Sequence, residues 1–230
     1  MQNNKSKVKI IIFDWDDVFT LGSTTGYFRC YHKTLRDLGV KLNKQEEYRR
    51  IMSKWGKTHR EELKALLVER PELLDNACEI YESKLFGDVF VDSLKIISNC
   101  TKFLNKLKNK YIIYIVTGVH PKILKERIIP KFKVPNVFKQ IISTYDIKDA
   151  AKQKPHPYIV YEILKKEKAV RDEAVVVGDS KSDVMMAQAA GVRPIVVLTG
   201  HLDRKHAKEL GVKDIIKNVT HLQEVLKKIK

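Results

Sequence analysis

Four aspartates in two short segments are the residues of this chain most suited to chemistry. Asp14 and Asp16 directly follow one apolar run, and Asp179 and Asp183 follow another. Carboxylates packed this closely repel one another unless a cation compensates. Oxygen ligands of this kind suit Mg²⁺, which also binds substrate phosphate oxygens. The spacing therefore predicts a magnesium site for a phosphorylated ligand, provided that the two segments are neighbours in space.

Each aspartate pair stands where a buried parallel strand is expected to end. Short continuous apolar runs are typical of strands covered on both faces, and ligands bind beyond the carboxyl ends of such strands. Strand-like runs occur at 8–13, 111–116, 137–143, 174–177, 195–198 and 214–216. Helical patterns separate the later runs. The alternation predicts an α/β fold, with a Rossmann-like parallel sheet flanked by helices.

The segment between the first two predicted strands has a different pattern. From 21 to 92 no strand is convincing, and leucines such as Leu63 and Leu66 follow helical spacing. A helical block of this length is too long for a simple crossover. We therefore expect an all-helical domain at 21–92, inserted after the first strand into a core formed by 1–20 and 93–230.

Two further segments are suited to binding a phosphate group. Thr117 and Gly118 end the second predicted strand, where a hydroxyl and a backbone amide can donate hydrogen bonds to one anion. Lys154 precedes Pro155 and Pro157, which restrict the backbone just before a predicted helix. A cation is required near so many carboxylates, and we take Lys154 as that cation.

Taken in order, these segments resemble the motifs of the haloacid dehalogenase superfamily of phosphotransferases. The matching segments are Asp14-Trp15-Asp16-Asp17-Val18, Thr117, Lys154-Pro155-His156-Pro157 and Gly178-Asp179-Ser180-Lys181-Ser182-Asp183. The resemblance extends from residue 8 to about residue 226. The helical insertion is similar to the helical cap domain of the branch that includes phosphoglycolate phosphatase and β-phosphoglucomutase.

The resemblance implies a catalytic role for the residues of the first three motifs. Asp14 would be the nucleophile that forms an aspartyl phosphate, and Asp16 would be the general acid and base. Thr117, the amide of Gly118 and Lys154 would hold the phosphoryl oxygens and stabilise the charge of the transition state.

The resemblance also implies Mg²⁺ as the cofactor. Asp14, the backbone carbonyl of Asp16 and the carboxylate of Asp179 would bind the ion. Asp183 would bind it through water or orient Lys154.

Two positions of the first motif carry further information. Dehalogenases of the family lack an acid at the position of Asp16, because halide leaves without protonation. An acid there implies an oxygen leaving group and hence phosphate chemistry. Asp17 departs from the pattern, since glycine is commonest there in relatives with helical caps. Either the site is more acidic than usual, or Asp17 points away into the hinge of the cap.

The predicted cap contains a segment suited to contact with substrate. In similar caps a loop between helices dips towards the phosphate, and 54–60 combines a glycine, an aromatic residue and several cations. Lys57 and Arg60 are candidate substrate ligands, with Trp55 and His59 as candidate walls. An exposed turn between helices would have a similar composition.

The leading hypothesis is a Mg²⁺-dependent phosphatase that hydrolyses a small phosphorylated metabolite through an aspartyl-phosphate intermediate. A sugar-phosphate mutase on the same core is an alternative, disfavoured because the hinge at 21–26 lacks the histidine of such relatives. A phosphonate hydrolase would need a Schiff-base lysine in the cap, and Lys54 and Lys57 keep that alternative open.

The charge favours anionic partners, because 44 Lys and Arg residues against 28 Asp and Glu residues give a formal net charge of +16. A non-catalytic protein that binds anions or nucleic acid is therefore a second class of alternative. The lysines are nevertheless spread along the chain, with short basic runs only at 5–9 and 227–230. No basic motif interleaved with aromatic residues is present, which disfavours nucleic acid as a partner.

Apolar patterning and cysteine usage indicate a location. No apolar stretch reaches the roughly 20 residues that span a bilayer, and 8–13 is too short for the core of a signal peptide. Cys30, Cys78 and Cys100 lack metal-type spacing, and an odd count fits a reducing compartment. We expect a cytoplasmic monomer or dimer with buried, unreactive thiols and no membrane partner.

Overall fold

Six parallel strands form the main sheet of the protein, whose structure is a computed structural model that describes residues 7–229. In chain order the strands are β1 (Ile10–Phe13), β2 (Thr20–Leu21), β3 (Lys95–Ile96), β4 (Ile112–Thr117), β5 (Gln140–Ser143), β6 (Ala174–Gly178), β7 (Arg193–Val197) and β8 (Asp214–Ile216). The main sheet has the spatial order β5-β4-β1-β6-β7-β8, and β2 pairs with β3 separately. The predicted Rossmann-like α/β fold is confirmed.

Helices connect these strands. They are α1 (Ser23–Asp37), α2 (Lys44–Met52), α3 (His59–Leu66), α4 (Leu74–Phe86), α5 (Asp88–Val91), α6 (Cys100–Leu107), α7 (Pro121–Ile123), α8 (Ile129–Lys131), α9 (Tyr158–Glu167), α10 (Lys181–Ala190), α11 (Arg204–Glu209) and α12 (Leu222–Leu226). A π-helical turn, Leu124–Ile128, joins α7 to α8. Among the described residues, no helix combines the length and the apolar character needed to cross a membrane.

The sheet forms because its central strands are apolar on both faces. All four residues of β1 are fully buried. On one face, side chains of β1, β4 and β6 pack against apolar residues of α9 and α10. The β-branched residues that dominate these strands favour the extended conformation. Burial of both faces therefore fixes β1 in the middle of the sheet.

The register of the sheet determines which loops become neighbours. Phe13 at the end of β1 pairs with Ile115 of β4 on one side and with Val177 of β6 on the other. The ladder continues one residue further, where the backbone N–H of Asp14 donates to the carbonyl of Val177 at 2.9 Å. The residues that follow β1, β4 and β6 therefore emerge at one edge of the sheet.

The chain divides into two units. The first comprises residues 7–21, 96–121 and 131–229, and the second comprises 22–95 and 122–130. No sequence pattern indicated that 122–130 would join the helical segment. Arg127 contributes to that association, because its guanidinium donates to the carbonyl of Phe86 and, at 2.6 Å, to the carboxylate of Asp88. Of the predicted terminal basic residues, Lys5 and Lys230 lie outside the described residues.

The three cysteines are free thiols buried within the fold, as expected. Burial raises the pKa of Cys30 and of Cys100 to about 12, which keeps both thiols protonated at neutral pH.

A buried carboxyl lies in the core of the second unit. Glu62 accepts hydrogen bonds from the hydroxyl of Tyr31 and from the backbone N–H of Gly56. The ring of Tyr31 stacks on that of Tyr81 at 4.4 Å between centroids. Burial raises the pKa of Glu62 to about 8, although both hydrogen bonds oppose the shift. The carboxyl is therefore mainly protonated at neutral pH.

This carboxyl predicts a pH-dependent stability. The folded state binds the Glu62 proton more tightly than the unfolded chain, whose carboxyl has an ordinary pKa of 4.5, so stability declines as the pH rises from about 4.5 to about 8. We expect Glu62→Gln, which keeps the acceptor oxygen, to remove a decline on the order of a few kcal/mol. Urea unfolding at several pH values measures this. Glu79→Gln on the exposed side of α4 is the control, and a wild-type slope retained by Glu62→Gln would contradict the assignment.

Candidate active site

Three carboxylates meet at the carboxyl edge of the sheet. Asp14 follows β1, Asp179 follows β6, and Asp183 lies in the first turn of α10. One oxygen from each lies within 4.8 Å of the other two. The structure thus brings Asp14, from the beginning of the chain, together with Asp179 and Asp183, from the later segment.

The fourth motif folds into a helix start that orients Asp183. The backbone N–H and the hydroxyl of Ser180 donate to Oδ2 of Asp183, at 3.2 and 2.6 Å. A Cβ atom at Gly178 would lie 2.4 Å from the Asp183 side chain, so only glycine permits this close approach. Oδ1 of Asp183 is left for another partner.

That partner is Lys154. Its Nζ lies 2.7 Å from Oδ1 of Asp183 and 3.1 Å from Oδ1 of Asp14, and only the contact with Asp183 has hydrogen-bond geometry. Burial lowers the pKa of the Lys154 ammonium, but the carboxylates of Asp14 and Asp183 raise it by more, so the net shift is upward. Lys154 therefore stays charged between the two aspartates.

One lysine does not balance the negative charge of this cluster. Burial raises the pKa of Asp14 to about 6; Lys154 opposes the shift and Asp183 adds to it. Burial, and then repulsion from Asp183 and Asp14, raise the pKa of Asp179 well above its ordinary value. Burial thus makes the ionised forms of these carboxylates unfavourable, and a cation bound among them would offset that cost. A set of buried carboxylate oxygens in mutual reach fits a hard divalent cation such as Mg²⁺.

Asp17 makes the cluster more acidic than the motif requires. Its backbone has φ of 53°, in the left-handed region that glycine adopts most easily, which gives a physical reason for the glycine of similar proteins. Its carboxylate lies within 4.8 Å of ligand atoms of Asp179 and His201. The hydroxyl of Thr199 donates to the Asp17 carbonyl at 2.5 Å. Of the two alternatives for Asp17, the structure shows the acidic one.

The loop after β7 supplies residues that the sequence reasoning missed. The backbone N–H of His201 donates to Oδ2 of Asp179 at 2.9 Å. A Cβ at Gly200 would lie 1.9 Å from the same oxygen, so this position requires glycine. The sequence did contain a signal for this loop. A Thr-Gly pair follows the apolar run at 195–198, just as Thr117-Gly118 follows the apolar run at 111–116.

The remaining predicted residues of the first unit lie on loops at the same edge. Thr117 is the last residue of β4 and is buried, and its Oγ1 accepts the N–H of Val119 at 3.2 Å. Gly118 follows it and is exposed. Asp16 is half-buried in the turn after β1, where its backbone bridges to Thr20.

The predicted substrate contacts Trp55, Lys57 and Arg60 belong to the second unit, between α2 and α3 or at the start of α3. Lys57 is exposed in the turn. Arg60 forms an ion pair with Asp75 at 2.6 Å, a partner that no sequence pattern indicated. Trp55 packs within an aromatic cluster, and His59 pairs with a glutamate of α4. Of the four, Lys57 has the most open surroundings.

Residues 11–197 match the model of the haloacid dehalogenase-like hydrolase family. The chain belongs to this family. The expectation of an enzyme, a phosphoric monoester hydrolase of this family, is confirmed with it.

Relatives of this hydrolase extend over nearly the whole chain. A "Phosphorylated carbohydrates phosphatase" of Thermotoga maritima is 27% identical over 91% of this chain and 94% of its own. A subfamily IA hydrolase of Geobacter sulfurreducens superimposes with a TM-score of 0.70 at 20% identity, over 98% of this chain and 100% of its own. A predicted phosphoglycolate phosphatase of Haemophilus somnus has a TM-score of 0.76 at 17% identity, covering 95% and 98%. The two structural likenesses concern the fold.

The close approach of Gly200 to Asp179 yields a prediction. We expect Gly200→Ala to displace the Asp179 carboxylate, to weaken binding of Mg²⁺ or Mn²⁺ and to cost about 1–3 kcal/mol of folding stability through overpacking. Titration calorimetry with each ion and urea unfolding measure the two effects. Gly118→Ala is the steric control for both, because its added Cβ meets nothing within 4 Å. Equal ion affinity in the two variants would contradict the predicted displacement.

Proposed function

We propose that this hydrolase is a Mg²⁺-dependent phosphatase that cleaves a small phosphorylated metabolite through an aspartyl phosphate. The observation that carries the proposal is the position of Asp14 at the end of β1, beside one lysine and two further carboxylates. A carboxylate held there beside a cation is suited to attack an anionic phosphoryl group. Oδ1 of Asp14 is buried against the Lys154 ammonium at 3.1 Å, a contact that holds the carboxylate beside a cation.

In the first step a carboxylate oxygen of Asp14 attacks phosphorus. The new bond joins that oxygen to phosphorus, and the bond from phosphorus to the ester oxygen breaks. Asp16 gives its proton to the departing oxygen, so the alcohol leaves neutral. Asp16 is suited to this role because it lies in the turn after β1, two residues beyond Asp14, and is partly exposed.

In the second step water hydrolyses the aspartyl phosphate. Asp16, now ionised, takes a proton from water while the water oxygen bonds to phosphorus. The bond between phosphorus and Asp14 breaks, which releases inorganic phosphate and regenerates the nucleophile. Asp16 is protonated again, ready for the next cycle.

Other residues hold the phosphoryl group during both steps. Lys154, the hydroxyl of Thr117 and the exposed backbone amide of Gly118 are the donors that would stabilise its oxygens. Asp14, the carbonyl of Asp16 and Asp179 would hold Mg²⁺, with Asp183 bound through water or orienting Lys154. The bound ion would neutralise phosphate charge and orient the ester for in-line attack.

The second unit is proposed to act as the cap that selects the substrate. Lys57 and Arg60 would contact the substrate, and Trp55 would form a wall. The phosphatase of Thermotoga maritima is named for phosphorylated carbohydrates, which supports a sugar phosphate as one substrate to test. A cytoplasmic location is supported by the three free thiols, which suit a reducing compartment.

The covalent mechanism predicts a specific loss. We expect Mg²⁺-dependent release of phosphate from a panel of phosphoglycolate, sugar phosphates, nucleotides, pyrophosphate and an aryl phosphate, and we expect Asp14→Asn to abolish it. The amide of asparagine is a poor nucleophile, whereas the side-chain shape is unchanged. Asp172→Asn, at a surface ion pair with Lys7, is the control. Activity of Asp14→Asn near that of the wild type would rule out an aspartyl phosphate.

The cap assignment makes a separate prediction. We expect Lys57→Ala to raise KM for the preferred substrate about tenfold while leaving KM for a small aryl phosphate nearly unchanged, since a charge-assisted hydrogen bond contributes about 1.5–3 kcal/mol. Arg60→Ala should have a smaller effect, because Asp75 already engages its guanidinium. Lys64→Ala, exposed on α3, is the control. Equal changes in KM for both substrates would remove Lys57 from the specificity site.

A further inference from the structure

Gln153 is a buried polar residue that the proposed mechanism does not use. It directly precedes Lys154 and is only 7% exposed. Its Nε2 donates to the carbonyl of Thr144 at 3.2 Å and to the carbonyl of Ile147 at 3.1 Å. Because both partners can only accept, the orientation of the amide is fixed with its nitrogen towards them.

The amide is retained at this position at a free-energy cost. Within residues 7–229, Oε1 of Gln153 is buried and has no hydrogen-bond partner. A buried acceptor without a partner is unfavourable, and an apolar side chain of similar shape would avoid that cost. The two hydrogen bonds that Nε2 of Gln153 donates are therefore the benefit of a glutamine side chain at this position.

Gln153 is also the anchor of an otherwise exposed loop. Within 148–156, all of which the structure describes, it is the one buried residue. The residues on either side of the Gln153–Lys154 pair, 148–152 and 155–156, are exposed. The backbone that carries Lys154 is therefore tied to the fold by the side chain of the preceding residue.

The hydrogen bonds continue from this loop to the end of β4. Oγ1 of Thr144, whose carbonyl accepts from Gln153, donates to the carbonyl of Thr117 at 3.3 Å. Next to it, Oγ of Ser143 donates to the carbonyl of Val119 at 2.7 Å. The lysine loop and the Thr117 loop are therefore held in one buried network through the end of β5.

We propose that Gln153 is a positioning residue that holds the Lys154 ammonium between Asp14 and Asp183 and in fixed relation to Thr117. A lysine side chain is long and flexible, so its Nζ keeps short contacts with two aspartates only if its backbone is held. The inference rests on the proposed function of Lys154 as a phosphate-binding group.

Amine labelling tests the position of Lys154 without relying on activity. In metal-free protein, reductive methylation followed by mass spectrometry gives the labelling rate of each lysine. Lys154 is 13% exposed in its side chain, and Lys84, paired with Asp37 in the second unit, is 16% exposed and serves as internal reference. We expect Gln153→Met to raise the labelling rate of Lys154 severalfold while that of Lys84 stays unchanged.

Kinetics test the consequence for catalysis. We expect Gln153→Met to lower kcat about 10- to 100-fold with a smaller change in KM, as for displacement of a catalytic group by about 1 Å. Adding Gln153→Met to Lys154→Met should cause no further loss, since Gln153 acts through Lys154. Gln188→Met is the matched control, because Gln188 also donates its Nε2 to a backbone carbonyl, that of Leu210.

The outcomes separate this inference from the proposed function. Selective labelling of Lys154 together with the kinetic loss supports the proposal. Unchanged labelling and kcat, a parallel rise at Lys84, or additive losses in the double variant would overturn it. If wild type and Gln153→Met are both inactive, the labelling result still decides the positioning role. If Gln153→Met fails to fold, Thr144→Val serves as the second variant. It removes the hydrogen bond from Oγ1 of Thr144 to the carbonyl of Thr117 and is expected to show the same selective labelling of Lys154.

Discussion

Electrostatic repulsion among the carboxylates that follow β1 and β6 governs how the surrounding loops are built. Asp14, Asp179 and Asp183 lie in mutual reach, and the Asp17 carboxylate also lies within 4.8 Å of that of Asp179. Burial strengthens their repulsion, because water cannot screen it. One lysine lies between two of them, and burial together with repulsion among the carboxylates still raises the pKa of Asp14 and of Asp179. A cation bound among these carboxylates would offset both their burial and their mutual repulsion.

The surrounding backbone holds this unfavourable arrangement in place. Glycines at 178 and 200 let other chain segments approach the Asp183 and Asp179 side chains more closely than any Cβ would allow. Backbone amides of Ser180 and His201 then donate to those carboxylates. Such donors stabilise the ionised form without moving, which keeps the oxygens oriented before a ligand arrives. Burial of the apolar residues of β1, β4 and β6 offsets the unfavourable free energy of this arrangement.

The second unit uses a buried carboxyl in a different way. Glu62 accepts hydrogen bonds from the hydroxyl of Tyr31 in α1 and from the N–H of Gly56, which lies in the turn between α2 and α3. Because burial keeps Glu62 mainly protonated, it adds little charge to the core while it fixes the turn that carries Lys57. A buried carboxyl is thus part of an acidic cluster in one unit and a neutral hydrogen-bonding group in the other.

Local sequence patterns predicted the main sheet, the order of its motifs and the proximity of Asp14 to Asp179, because parallel strands of apolar residues place the acids that follow them at one edge. They also predicted the family, since the motifs are local in sequence. The folded protein was needed to establish the direction of Asp17, the need for glycine at 200, the partner of Arg60 and the anchoring of Lys154 by Gln153. Each of these depends on side chains or carbonyls from other loops, and no local pattern records which loops will meet.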